Sequence, residues 1–168
     1  LCAVRKGPMG IDAINDSARH SLVKAELLPA PRSDRLNWYR GRPVLMTRND
    51  YSLGLFNGDM GITLPDPNAG PQELGVFFAG YSGHPRQFSP YRIGEHDTAF
   101  AMTVHKSQGS EFEDVLLVLP DRDSPVLTRE LLYTAVTRAR RSVVICGRKT
   151  VLETALARTT TRASGLRD

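Results

Sequence analysis

Hydrophobic and polar positions follow three patterns in turn along this chain. Leu1-Cys2-Ala3-Val4-Arg5 is an apolar run closed by a charge, followed by the turn formers Gly7-Pro8 and Gly10. From Asp12, a residue suited to capping, Ile14, Ala18, Leu22 and Ala25 recur at the spacing of one helical face. Pro29-Ala30-Pro31 should break that helix. Strand, glycine-rich turn and helix together open an α/β unit. From about Gly41 to about His96 the pattern shortens. Residues 44–47, 61–64, 74–78 and 87–93 read as short strands, with Asn57-Gly58-Asp59 and Pro65-Asp66-Pro67-Asn68 as turns between them. This predicts a small antiparallel barrel. Because so short a stretch makes a thin core, it reads as an insert in a larger α/β domain. The α/β pattern then returns. Residues 98–104 predict a buried strand, and 115–119 a second before Pro120. A helix is expected over 130–141 with Leu132, Ala135, Val136 and Ala139 on one face, then a strand over 142–146. A short helix over 151–157 leads into a polar tail expected to fray from Thr159. Strands alternating with helices predict a parallel sheet covered on both faces.

Composition changes this picture little. With 168 residues, 40% hydrophobic and 24% charged, the chain has the size of one domain, or of one domain with a small insert, and the make-up of a globular protein. No apolar run approaches the ~20 residues of a membrane span, and no signal-like segment opens the chain, so no membrane association is expected. A first residue of Leu1 rather than Met fits an excised piece of a longer protein. Cys2 and Cys146 lie in apolar runs, and the four histidines are scattered. That excludes the usual zinc spacings and fits buried, reduced thiols in a cytoplasmic protein. A net charge of +4 is compatible with a nucleic-acid partner without implying one.

Two segments carry candidate chemistry. Ala101-Met102-Thr103-Val104-His105-Lys106-Ser107-Gln108-Gly109-Ser110-Glu111-Phe112 runs from the predicted strand into a loop dense in hydroxyl, imidazole, ammonium, amide and carboxylate groups. The C-terminal ends of parallel strands are where ligands bind, and a glycine there lets backbone approach a phosphate or sugar. An ordinary solvated loop explains the same residues. Leu131 to Arg141 sets Thr134, Thr137 and Arg138 together away from the apolar face of the predicted helix. A fixed guanidinium can stabilise a transferring phosphoryl group. A solvated basic helix end explains Arg138, Arg140 and Arg141 equally well.

Taken together and in this order, the segments resemble motifs V and VI of superfamily-one helicases. Thr103 to Phe112 is similar to motif V, and Tyr133-Thr134-Ala135-Val136-Thr137-Arg138-Ala139-Arg140 to motif VI, most closely as they stand in the RecD family, the alpha subunit of exodeoxyribonuclease V. Leu1 to Gly10 resembles that family's motif IV region. Arg48-Asn49-Asp50-Tyr51 with Leu55-Phe56-Asn57-Gly58-Asp59 resembles its motif between IV and V. The resemblance implies a RecA-like, P-loop NTPase-type lobe 2A over residues 1–40 and 97–168, interrupted by an SH3-like β-barrel, 2B, over 41–96. It further implies that Arg138 is the arginine finger that meets the ATP γ-phosphate, with Arg5 also at the phosphates. Gly109, Glu111 and Gln108 would lie at the nucleotide, and Thr103, His105, Ser107, Asn49 and Asn57 on single-stranded DNA. Lys106, Ser107 and Gln108 could face either ligand.

The implied activity is ATP-driven 5′ to 3′ movement on DNA during bacterial double-strand-break repair and recombination, beside the other exodeoxyribonuclease V subunits. The sequence contains no G-x-x-x-x-G-K-[ST] segment and no acidic motif following one. ATP and Mg²⁺ would therefore be held mainly by a first lobe outside this chain, and this chain alone should be inactive. Three other readings stay open. They are a lobe of a stand-alone RecD-like or relaxase-type helicase, a nucleic-acid-binding module built on the barrel, and a docking lobe without catalysis.

Overall fold

The computed structural model describes residues 1–30, 38–70, 73–80 and 83–159. In chain order the elements are α1 (Ile11–Lys24), β1 (Pro43–Met46), β2 (Met60–Pro65), β3 (Leu74–Phe78), β4 (Arg86–Phe88), β5 (His96–Thr98), β6 (Phe112–Val118), α2 (Arg129–Val136), β7 (Ala139–Cys146) and α3 (Lys149–Ala157). The chain divides into two compact units, Leu1–Ile14 with Ala101–Asp168, and Asn15–Phe100, so the cut falls within α1. The expected tail from Thr159 lies almost wholly outside the described residues.

The first unit is built on a parallel pair, β6 against β7, with Leu116 opposite Val144 and Val118 opposite Cys146. The opening segment joins it by single bridges. Cys2 lies between Thr103 and Val118, parallel to both, donating from its N–H to Met102 and accepting from Val104 N–H. The parallel order is thus Thr103, Cys2, β6, β7. Successive strand residues face opposite ways, and this alternation sorts β6. Leu117 packs among Leu127, Leu132, Ala135, Val151 and Ala155 under α2 and α3. On the opposite face Val118 and Cys2 pack against Ile11 at the start of α1. Burial pushes the Cys2 thiol up, in keeping with a reduced, inert thiol.

Several expectations are corrected. The sheet is not covered throughout on both faces, since Leu116 and Val144 are 52% and 60% exposed. Cys146 is exposed rather than buried. Residues 98–104 do not form one strand. Thr98 ends β5 in the second unit, where it pairs with Val44, and Thr103 only bridges Cys2. Helix α1 stops at Lys24, well before the prolines. It is ended by Glu26 in the left-handed conformation (φ 58°), which lets Leu27 N–H reach back to the Leu22 carbonyl at 2.9 Å.

The second unit carries an antiparallel sheet in the order β4-β3-β2-β1-β5. Val44, Met46, Leu55, Val76 and Phe78 form its core. Gly58, at φ 101°, makes the predicted tight turn, which Asp59 N–H closes onto the Phe56 carbonyl at 2.9 Å. The segment expected to be a strand over 87–93 divides into β4 and a 3-10 turn at Pro90–Arg92.

Thr128 caps α2, its hydroxyl accepting Leu131 N–H at 3.3 Å. Thr128→Ala is expected to lower stability by about 1 kcal/mol, the usual cost of losing such a cap. A urea denaturation midpoint unchanged from the parent protein would refute the capping role.

Candidate functional site

The two segments singled out in the sequence meet where β6 and β7 begin. Phe112 is paired with Ala139, and Phe112 N–H donates to the carbonyl of Arg138 at 2.8 Å. This contact sets the loop entering β6 beside the turn entering β7. It also corrects the expected helix over 130–141. Helix α2 ends at Val136, Thr137 closes it with φ −70° and ψ −3°, and Ala139, Arg140 and Arg141 are already in β7. Arg138 therefore stands in the turn between helix and strand.

The Arg138 side chain is half-buried and all three of its nitrogens are used. Nε–H donates to the Thr134 carbonyl at 3.2 Å, Nη1–H to the Ser110 carbonyl at 3.1 Å, and Nη2–H to Thr137 Oγ1 at 3.3 Å. Every acceptor is neutral, so the guanidinium is fixed in place with its charge uncompensated among the described residues. A cation held this way suits an anionic oxygen. The neighbouring acidic groups are engaged elsewhere. Glu111 Oε2 accepts from Arg140 Nε–H and pairs with its Nη2, both at 2.9 Å, and Glu113 lies 3.9 Å from the same guanidinium. Asp114 accepts from Arg141 and from the Ser142 hydroxyl. These bonds, Arg141 foremost, hold the Asp114 carboxyl below its ordinary range. These exposed pairs contribute little to stability.

Gly109 sits at φ 84°, with open space where a side chain would project, next to exposed Gln108. Ser107 is fully buried, and its hydroxyl donates to the Val104 carbonyl at 2.7 Å. That bond braces the loop. His105 is exposed and opens the 3-10 turn His105–Ser107. Thr103 is half-buried, its hydroxyl accepting Lys106 N–H at 3.3 Å.

The bridges of Cys2 to Thr103 and Val118 put Thr103 level with the finish of β6. The loop carrying Arg5 leaves the sheet at that same end. Phe112 and Arg138 lie at the beginning of β6, a strand length of about 20 Å from Val118 at ~3.3 Å per residue. The loop between is compact, with Ser107 N–H on the Thr103 carbonyl at 3.2 Å, Gln108 N–H on the His105 carbonyl at 3.4 Å and Ser110 N–H on the Ser107 carbonyl at 3.0 Å. The structure thus brings Arg138 to the Gly109–Glu111 loop, and two hydrogen-bonded turns connect that loop back to His105 and Thr103.

Asn49 and Asn57 belong to the second unit and touch each other. Asn49 Oδ1 accepts Asn57 N–H at 2.8 Å, and its Nδ2 donates to the Tyr51 hydroxyl at 3.2 Å. Two contacts lie outside the expected set, the Ser110 carbonyl on Arg138 and Arg140 as the partner of Glu111. Neither contact has a sequence signal, because each joins residues nearly thirty positions apart.

Residues 98–146 match the UvrD-like helicase C-terminal domain family. Over 167 residues, 99% of its length, the chain is 46% identical to the RecBCD enzyme subunit RecD of Mycobacterium tuberculosis. The chain belongs to the RecD family. It spans 28% of that relative's length and is the helicase C-terminal region of a RecD-type protein. A second relative, the ATP-dependent RecD2 DNA helicase of Deinococcus radiodurans, is 34% identical over 161 residues, covering 94% of this chain and 21% of that protein. In fold, the RecD-type chain is similar to a Pif1 helicase from Bacteroides in complex with ADP-AlF3 and ssDNA. The TM-score is 0.52 at 19% identity, covering 86% of this chain and 39% of the other. That likeness supports a helicase-like α/β fold with a parallel sheet.

Proposed function

We propose that this RecD-type chain is the second motor lobe of an ATP-dependent 5′ to 3′ DNA helicase. Residues 1–40 and 97–168 would form lobe 2A, and 41–96 an SH3-like insert, 2B. The observation that carries this reading is the Arg138 guanidinium, held by neutral acceptors beside the Gly109–Glu111 loop. A charge fixed in that way is suited to a γ-phosphate presented by a first lobe. Glu111 Oε1, opposite the oxygen used by Arg140, would accept from a nucleotide sugar hydroxyl, and the open backbone at Gly109 and Gln108 would admit it. ATP and Mg²⁺ are proposed to be held mainly by a first lobe, with Arg138 reaching the nucleotide from this one.

Single-stranded DNA is assigned to Thr103, His105 and Ser107, with Asn49 and Asn57 of the second unit as further contacts. Arg5 is assigned with Arg138 to the ATP phosphates, as the likeness of residues 1–10 to a motif IV region implies. The full-length protein would work with other exodeoxyribonuclease V subunits in bacterial double-strand-break repair and recombination, in the cytoplasm. No described helix is long and apolar enough to cross a membrane.

The division of roles within the loop has a direct test. In the full-length protein His105→Ala should weaken single-stranded oligonucleotide binding by about three- to tenfold, the worth of one hydrogen bond, with KM for ATP unchanged. Anisotropy titrations at one fixed salt concentration read the first, and steady-state ATPase the second. A raised KM with unaltered DNA affinity would reverse the assignment.

A further inference from the structure

We infer that Thr137 is a positioning residue for Arg138, acting through its hydroxyl; the inference rests on Arg138 being the finger. Thr137 Oγ1 has one proton and donates it to the Thr134 carbonyl at 3.1 Å. The oxygen therefore turns a lone pair to Arg138 Nη2–H at 3.3 Å. This direction cannot reverse, because arginine has no acceptor to offer. The Thr134 carbonyl in turn takes Arg138 Nε–H at 3.2 Å. Thr134, Thr137 and the guanidinium thus close a small ring of hydrogen bonds, and Ser110 fixes the far side of the guanidinium across from the β6 entry loop.

The ring settles the orientation of the guanidinium plane. Arginine has five N–H donors, of which these contacts use three. The two that remain, one on Nη1 and one on Nη2, are the donors available to an incoming phosphoryl oxygen. Without Oγ1 the Nη2 edge is held by nothing on its own side, and the plane can rotate about the contacts at Nε and Nη1. A finger that must be in place before the transition state forms loses effectiveness when its rotation is released. Binding of ATP in the ground state, carried mainly by the first lobe, should be indifferent to that rotation.

The test uses full-length protein and DNA-stimulated ATPase. Thr137→Val keeps the branched shape and removes the hydroxyl. Its kcat should fall about tenfold, the rate equivalent of one lost hydrogen bond to a charged group, with KM for ATP and DNA affinity unchanged. Thr137→Ser keeps the oxygen and should stay within about threefold of the parent. In an Arg138→Ala background, Thr137→Val should add nothing further, since the group it positions is gone. If Thr137→Val melts early, Thr137→Cys, which presents only a weak acceptor, takes its place with the same expected loss.

A parental kcat for Thr137→Val, an equal loss for Thr137→Ser, or a full additional loss in the Arg138→Ala background would each overturn the positioning role. If Arg138→Ala lowers turnover strongly while Thr137→Val does not, the finger stands and only this inference falls. If Arg138→Ala itself turns over normally, both fall together.

Discussion

Full-length protein carrying Arg138→Ala is expected to lose about 10³-fold in DNA-stimulated ATP turnover, the lower end of what arginine fingers supply, while binding single-stranded DNA as before. The size follows from what the guanidinium does in the fold, which is little. Its three acceptors are the Thr134 and Ser110 carbonyls and the Thr137 hydroxyl, at half-buried positions where water can replace it. No carboxylate is left unpaired when it goes, so the fold should survive and the loss should appear in kcat. Arg138→Lys should recover only a small part, because an ammonium on a flexible stem cannot span three acceptors and still present donors outward. Near-normal turnover in Arg138→Ala would return this side chain to a solvated turn and leave the motor reading resting on the loop before β6 alone.

The sequence foretold best what is local. The strands β1, β2 and β3 stand between turn signals that the structure uses, and the Asn57-Gly58-Asp59 turn is made by a glycine at positive φ. It foretold least what depends on distant pairing. The spacing of Leu132, Ala135, Val136 and Ala139 continues at helical period past Val136, with no glycine or proline to stop it. The chain nevertheless leaves the helix, because Ala139 must pair with Phe112. In the same way, the largely apolar run 98–104 gives no hint that Thr98 joins Val44 in one unit while Thr103 joins Cys2 in the other. Periodicity reports which face is buried, and says nothing of which sheet a strand enters.

The same division runs through the site. Residue types and their order pointed to Arg138, Gly109 and Glu111, and the fold brings these together. Ser107 reads as one more polar group of the loop, and the fold adds that its hydroxyl donates to the Val104 carbonyl. The likeness of Leu1 to Gly10 to a motif IV region implies Arg5 at the phosphates. That its loop follows a segment level with Val118 rather than with Phe112 becomes visible only from the strand register. Motifs name the groups, and strand register decides which of them share an end of the sheet.

Register is also open to measurement through stability, by comparing Leu117→Ala with Leu116→Ala. Leu117 is wholly buried under α2 and α3, and its truncation should lower stability by about 2–5 kcal/mol, as leucine-to-alanine changes in packed cores do. Leu116 lies on the other face at 52% exposure, and its truncation should cost about 1 kcal/mol or less. Urea denaturation midpoints of the two variants should therefore differ widely, although the positions are adjacent and the residues identical. A slip of β6 by one residue would exchange the two effects. The same slip would move Ser110 by about 3.3 Å relative to the turn before β7, too far for its carbonyl to accept from Arg138 at hydrogen-bond distance. Equal costs, or a larger one at Leu116, would therefore remove both the core described for the parallel pair and the contact that joins the two halves of the proposed nucleotide end.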